Sequence, residues 1–177
     1  MAITRLGGAN AISGIIPVAN GGTGASSFSP GKILQIVEGT SSTQHEATGS
    51  ADQDIGLSVA ITPSSSSNKV LVTVSFDYSI FQSGQYGSSA QFALLRDSSA
   101  IIARSGGTNQ DYNVEASALS TSNYVTMATQ LNMQILDSPS TTSATTYKVQ
   151  STGVSSTRVR CMLNNVRGSI VAYEVGA

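Results

Sequence analysis

Residues 70–80 read VLVTVSFDYSI, and residues 125–135 read VTMATQLNMQI. In both runs apolar residues, with Thr129 among them, occupy every second position, and mostly small or polar residues lie between them. Successive side chains of a β-strand point to opposite faces of its sheet, so a period of two indicates a strand with one buried face. The two runs therefore predict two long strands and an all-β fold.

Shorter stretches repeat this period. Their predicted buried positions are Tyr147, Val149, Val159, Cys161, Leu163, Val171, Tyr173 and Val175. Further strands are predicted at residues 32–38, 55–61, 91–96 and 100–104. About nine strands joined by Ser-, Thr- and Gly-rich connections are typical of a sandwich. We predict a jelly-roll-like antiparallel β-sandwich over residues 31–177, with no helix beyond a short turn at 116–122.

The composition excludes several function classes. Charged residues are only 11% of the 177, against about 25% in an average domain, and the net charge is −1. Without a basic excess, nucleic-acid binding is not expected. One Cys cannot form an intrachain disulfide, and one His with one Cys cannot build the common zinc sites. No run of 18 apolar residues occurs, so no membrane insertion is expected. We predict no cofactor and no metal.

Residues 1–30 differ in texture from the rest of the chain. They contain six Gly and two Pro, a density of helix breakers that excludes a helix. Their apolar residues are too few to form a core, so the segment is interpreted as an arm that needs a partner surface. The predicted anchors of this arm are Ile12, Ile15, Ile16 and Val18. The run Gly21–Gly24 lacks the lysine and the helix of a phosphate-binding loop.

Residues that carry chemistry elsewhere have no such context here. His45 lies in the polar stretch 40–54 and is interpreted as an exposed loop residue, because a general base needs a partner and a dry pocket. Cys161 alternates with apolar residues and is interpreted as a buried structural cysteine. Asp52 and Asp54 lack the remaining ligands of a calcium loop and are expected in a solvated loop. No catalytic residues are predicted.

Two further sets of residues leave alternatives open. Arg158 and Arg160 share a strand face, which either meets solvent or forms ion pairs with another subunit. Tyr86 and Tyr112 lie in loops rich in Gly, Ser, Asn and Gln. Exposed tyrosines in such loops often contact sugars or proteins. These two are candidate receptor contacts, unless they fold back onto their own domain.

The run PVANGGTGAS at residues 17–26 resembles a linker in tail fibre and related appendage proteins of tailed bacteriophages. The remainder resembles a β-domain at the end of such proteins, especially in phages of marine bacteria. The stretches that carry this likeness are residues 61–72, 94–97, 146–150 and 170–175. The resemblance implies a non-enzymatic, homotrimeric structural protein of the virion. It implies a short surface fibre or knob, on the tail or the head, or alternatively a capsid decoration (cement) protein that stabilises the head.

The resemblance also implies partners and a location. The partners would be other copies of the chain, a tail, portal-proximal or major capsid protein that binds the arm, and a host surface glycan or protein. The location would be the extracellular virion, after synthesis in the host cytoplasm. An enzyme such as a glycan depolymerase is disfavoured, because it needs paired carboxylates in a groove, and the close acidic pair of this chain lies in a polar stretch.

Overall fold

A computed structural model describes residues 33–48, 51–83, 88–102, 113–116, 124–154 and 158–177. The strands are β1 Ile33–Ser41, β2 His45–Thr48, β3 Gln53–Ile61, β4 Lys69–Ser83, β5 Ser88–Arg96, β6 Ser99–Ile102, β7 Asn113–Ala116, β8 Tyr124–Asp137, β9 Thr145–Val154, β10 Arg158–Cys161 and β11 Gly168–Val175. Within these ranges the single helical element is a 3-10 turn at Leu163–Asn165. The predicted all-β class is confirmed.

The two long strands predicted from residues 70–80 and 125–135 are β4 and β8. They pair with each other antiparallel along their whole length, from Val70 opposite Asp137 to Ser83 opposite Tyr124. The even-numbered residues of β4 from Val70 to Ile80 are all buried. On β8 the buried face includes Leu131 and Met133, whereas Thr129 is exposed.

The strands form two antiparallel sheets with jelly-roll topology. The first sheet has the order β1-β11-β4-β10-β2, with β8 on the other edge of β4, and the second has the order β3-β9-β5-β6, with β7 also on β5. Strands β1 and β2 are two parts of one long strand position, as are β6 and β7, and β10 and β11, so the eleven described strands fill eight positions. When the eight positions are numbered along the chain, the first is hydrogen-bonded to the eighth, the second to the seventh, the third to the sixth and the fourth to the fifth. This order confirms the predicted jelly roll.

The inner faces of the two sheets meet in one apolar core. Phe92 of the second sheet packs edge-on against two rings of the first, with centroids 5.6 Å from Phe76 and 4.9 Å from Tyr78. Such edge-to-face geometry is favoured between aromatic rings. The burial of large apolar residues from both sheets makes the two layers a sandwich.

The break between β10 and β11 is fixed by Asp77 of β4. Its backbone oxygen accepts a hydrogen bond from Met162 N at 2.9 Å, and its Oδ2 accepts one from Leu163 N at 3.1 Å. Met162, Asn164 and Asn165 all have positive φ angles, a conformation that Asn tolerates better than most residues. The prediction of a strand residue at Leu163 was therefore wrong, because the chain turns there.

The predicted inner face of β11 was also wrong. Ile170, Ala172 and Glu174 point into the sandwich and are fully buried, whereas Val171, Tyr173 and Val175 are half-buried on the outer side. Both faces of β11 are largely apolar, so a period of two could not distinguish them. The short strands β2 and β7 were not predicted, because their sequences HEAT and NVEA are polar or too short to show a period.

Gly39 marks the closest approach between the backbones of β1 and β3. A Cβ atom at this position would overlap the carbonyl oxygen of Ser58. We expect Gly39→Ala to lower the free energy of unfolding by about 1–3 kcal/mol, because two sheet edges would have to separate. Thermal unfolding checks this, with Thr40→Ala, an exposed neighbour on β1, as the control. Equal midpoints for the two variants would contradict the close approach.

Candidate functional site

The outer face of the first sheet carries a row of apolar side chains across four strands. Ile36 of β1 lies opposite Tyr173 of β11, Tyr173 lies opposite Leu71 of β4, and Leu71 lies opposite Leu136 of β8. Directly opposed residues of paired strands share a face, so these four form one transverse line, here named the apolar row. Ile36 is 60% exposed and Leu136 is 51% exposed. The row therefore leaves its apolar ends uncovered at both edges of the sheet.

Beside the apolar row lies a shallow, uncharged depression. Its volume is about 310 Å³, and it is lined by Thr73, Val74, Ser75, Asn132, Met133, Gln134 and Ser169. Gln130 donates a hydrogen bond to Ser75 Oγ at 3.0 Å. No ionisable group lines the depression, so its outer lining offers hydroxyl and amide groups. We name the apolar row and this depression together the uncharged half of the face.

Charged groups lie at the margin of the uncharged half. Glu38 of the edge strand β1 forms a 2.8 Å ion pair with Arg167. Lys69 is the first residue of β4 and lies opposite Val175. Both partners of the first pair are well exposed, so the pair stabilises the fold little. Its effect is to place charge at the rim and leave the centre neutral.

The other half of the same sheet face, formed by β2 and β10, is charged. Arg158 and Arg160 both contact the Glu46 carboxylate, at 3.2 and 2.6 Å. The Arg158 guanidinium also lies 5.8 Å from the centre of the Phe81 ring. The two arginines therefore face outward, and within the described chain both contact Glu46. Whether this face meets solvent or another subunit stays a prediction with two alternatives.

The outer face of the second sheet is built around an ion pair. Asp54 accepts hydrogen bonds from Lys148 Nζ at 2.8 Å and from Gln150 Nε2 at 2.7 Å. Burial would raise the pKa of Asp54, but these hydrogen bonds lower it on balance. Asp52 accepts a 2.5 Å hydrogen bond from Thr152. Asp54 thus lies in strand β3 and not in the predicted solvated loop, and its partners are a cation and an amide of β9.

His45 and Cys161 are opposite each other on β2 and β10. His45 is half-buried and not in an exposed loop as predicted, because residues 45–48 add an edge strand to the first sheet. Its Nε2 is buried and has no hydrogen-bond partner among the described residues, and burial lowers its pKa. Cys161 is fully buried, as predicted, and burial raises its pKa to about 12. A thiol that stays protonated is a poor nucleophile.

The described ranges contain no group of three or more His, Cys, Asp or Glu side chains that could hold a metal ion. Tyr86 and Tyr112, the candidate receptor contacts, lie outside the described residues, as do the predicted arm anchors Ile12, Ile15, Ile16 and Val18. Their roles stay predictions. In the part of the chain that is described, no helix is long and apolar enough to cross a membrane.

One polar cluster closes an end of the sandwich around Glu174. Its carboxylate is fully buried on β11, and the described residues that donate hydrogen bonds to it are uncharged. Oε1 accepts hydrogen bonds from Ser64 N at 2.6 Å, Ser64 Oγ at 2.7 Å and Asn68 Nδ2 at 2.6 Å, and Oε2 accepts one from Gln35 Nε2 at 2.6 Å. Burial would raise the pKa of Glu174, but the hydrogen bonds lower it to about 2. We name this group the Glu174 clamp.

A second cluster lies around Asp137 at the end of β8. Arg96 Nη1 lies 2.9 Å from both carboxylate oxygens, and the Tyr147 hydroxyl donates to Oδ2 at 2.7 Å. Burial and this hydrogen bond raise the pKa of Tyr147 far above its usual range. Asp97 adds a hydrogen bond from Thr146 N at 2.9 Å.

The two clusters join four stretches that are distant in sequence. The Glu174 clamp joins residues 61–72 to residues 170–175, and the Asp137 cluster, with Asp97, joins residues 94–97 to residues 146–150. These stretches therefore hold the sandwich together. Sequence reasoning missed Glu174, although a lone carboxylate inside the apolar run 168–175 was a visible signal. It also missed the apolar row, which depends on strand register.

Comparisons with known proteins assign no family to the chain. No family model matches it, and no curated protein sequence is similar enough to count as a match. A structure of the infectious bursal disease virus Gx strain is 13% identical, with a TM-score of 0.36 over 92% of this chain and 43% of that chain. A mutant VP2 protein of infectious bursal disease virus, in derived T=1 particles, is 14% identical, with a TM-score of 0.34 over 81% and 36%. Dimeric latent PorU from Porphyromonas gingivalis is 13% identical, with a TM-score of 0.33 over 89% and 15%.

The chain spans less than half the length of each of these structures. Likeness at these identities and TM-scores carries no conclusion about what this protein does.

The Glu174 clamp predicts a loss of stability in acid. The folded pKa of about 2 lies below the unfolded value of 4.5, so the carboxylate stabilises the fold above pH 4.5. That contribution, at most roughly 3 kcal/mol, declines as the pH falls from 4.5 to 2.

We expect Glu174→Gln to be less stable than the wild type at pH 7 and to lose less stability between pH 5 and pH 2. Urea unfolding across this pH range measures both effects. Glu46→Gln is the matched control, because the Glu46 carboxylate forms only partly exposed ion pairs. An acid response in Glu174→Gln as steep as in the wild type would refute the assignment.

Proposed function

We propose that the chain is a structural protein of a bacteriophage virion. It forms a short homotrimeric surface fibre or knob on the tail or head, anchored by its N-terminal arm and contacting the host surface. The resemblance of residues 17–26 and of the four β-domain stretches supports this proposal. A jelly roll alone does not decide the function, because lectin and enzyme domains also have this fold.

The observation that carries the proposal is that the sandwich has two distinct ends, which lead to different parts of the chain. Ile33, the first described residue after the arm, pairs with Val175, and Val175 pairs with Lys69 at the start of β4. β4 then runs 15 residues to Ser83, so the two ends lie about 45 Å apart. Ser83 and Ser88 flank the stretch that contains Tyr86, and both belong to the far end. The arm precedes Ile33 at one end, and the stretch that contains Tyr86 follows Ser83 at the other, an order along the chain that suits a fibre or knob.

Capsid decoration is the alternative. The arm joins the sandwich at the edge strand β1, next to Ile33, Leu34 and Ile36, which are all more than half exposed. An apolar sheet edge that directly follows the arm in the sequence suits a protein that lies along a shell. The two functions differ in copy number on the virion. A calibrated gel of purified particles separates them, because a decoration protein is expected at hundreds of copies and a fibre at tens.

The attachment role of the arm is tested by deleting residues 1–24. We expect the truncated protein to fold, because every described strand begins at or after Ile33, but to be missing from assembled particles. Burying one Ile or Val side chain stabilises a contact by roughly 1.5–3 kcal/mol, and three chains binding together multiply the effect.

A variant with four substitutions tests the predicted anchors without shortening the arm. Replacing Ile12, Ile15, Ile16 and Val18 together by Ser keeps the length of the arm and removes its predicted anchors. Thr23→Ser is the control within the same arm. If the truncated protein is incorporated at the normal level, the arm is not the anchor and the attachment surface lies on the β-domain.

A further inference from the structure

We propose that copies of this chain associate through the uncharged half of the outer face of the first sheet, with the apolar row in the contact. The occupant of this face is a second copy of the same chain. This inference rests on the homotrimer in the proposed function, and it names the surface that forms it.

The apolar row is the first observation. Single exposed apolar residues are common on protein surfaces, but a contiguous line across a whole sheet marks an interaction site. The row crosses four strands from Ile36 to Leu136, and Leu34, which is 52% exposed, extends it on β1. In a chain with few charges, this line is a concentrated apolar feature of the described surface.

Charge selects the partner. Two copies of one chain bring identical charges together, so a self-association surface is expected to lack charge at its centre. Within the uncharged half, the Asp, Glu, Lys or Arg side chains that point outward are Glu38 and Lys69, both at the margin, and Glu38 is paired with Arg167. The outer face of the second sheet carries the Asp54–Lys148 pair, with Asp54 on edge strand β3 and Lys148 one strand further in, on β9, so it suits this role less well.

The dimensions favour a ring of copies over a single flat contact. Four strands about 4.8 Å apart and seven residues about 3.3 Å apart give a projected area of roughly 440 Å². A stable interface takes about 800 Å² from each partner, so the edges formed by β1 and β8 are needed as well. Exposure along the row is highest at these edges, at Ile36 and Leu136. In a ring around a three-fold axis, the uncharged halves of the copies would face the axis, and the edges formed by β1 and β8 would add contacts to the neighbouring copies.

The test measures the mass of the full-length chain by size-exclusion chromatography with light scattering. We compare the wild type with Leu136→Glu and Ile36→Glu, which place a charge at either end of the apolar row. Ala60→Glu is the matched control, because Ala60 is exposed on the outer face of the second sheet, on edge strand β3. Circular dichroism and thermal unfolding establish that each variant is folded.

We expect three times the chain mass of 18.1 kDa for the wild type and Ala60→Glu, and the mass of one chain for the two row variants. A wild type of 18.1 kDa would overturn both the trimer and this inference. A trimeric wild type with trimeric Leu136→Glu and Ile36→Glu would overturn the inference alone. Dissociation of Ala60→Glu to the same degree would also overturn it, because the effect would not be specific to this face.

A second measurement does not depend on disrupting the assembly. Leu136→Cys and Ala60→Cys each add one exposed thiol, and the native Cys161 is fully buried. We expect a bulky thiol reagent to react with Leu136→Cys about ten-fold more slowly, or slower still, than with Ala60→Cys, and the difference to vanish on dilution as the copies separate. Equal rates in a trimeric sample would place Leu136 outside the interface.

Discussion

The pairing of β4 with the strands on both of its edges fixes the register of the first sheet. One edge of β4 binds β8 over its full length, and the other edge binds β11 and then β10. A slip of one residue would turn Val70, Phe76 and Tyr78 outward and bring Leu71 and Asp77 into the core, so the register is strongly determined. The same register aligns Tyr173, Leu71 and Leu136, and the apolar row exists only because this pairing holds.

The few charges of the chain mostly contact one another or neutral donors within the described fold. Arg96 with Asp137, Lys148 with Asp54 and Arg167 with Glu38 join segments that are distant in sequence. Glu174 is the extreme case, because it is buried and its hydrogen-bond partners among the described residues are hydroxyl, amide and backbone donors. A buried carboxylate that is fully hydrogen-bonded fixes the position of the loop at residues 62–68 over the end of the sandwich. The resulting surface has large neutral areas.

Strict alternation made the long strands, the fold class and the burial of Cys161 predictable from the sequence. It failed at β11, where Ile170 and Val171 are both apolar, and at His45, where a polar stretch adds a short edge strand. The apolar row could not be predicted, because Ile36 and Leu136 become neighbours of the same line only through the register of three strand pairs. The candidate surface therefore depends on the topology, and no local sequence motif predicts it.

The first and the last described strands of the β-domain begin and end on the same side of the sandwich. Ile33 and Val175 are directly paired, and the backbone N–H of Ala177 donates to Asn68 Oδ1 at 3.1 Å beside the Glu174 clamp. Units whose two boundaries adjoin tolerate insertion into other chains and permutation of their order. This β-domain is thus suited to exchange between different carrier segments as an intact cassette, since swapping the preceding segment leaves every described strand pair in place.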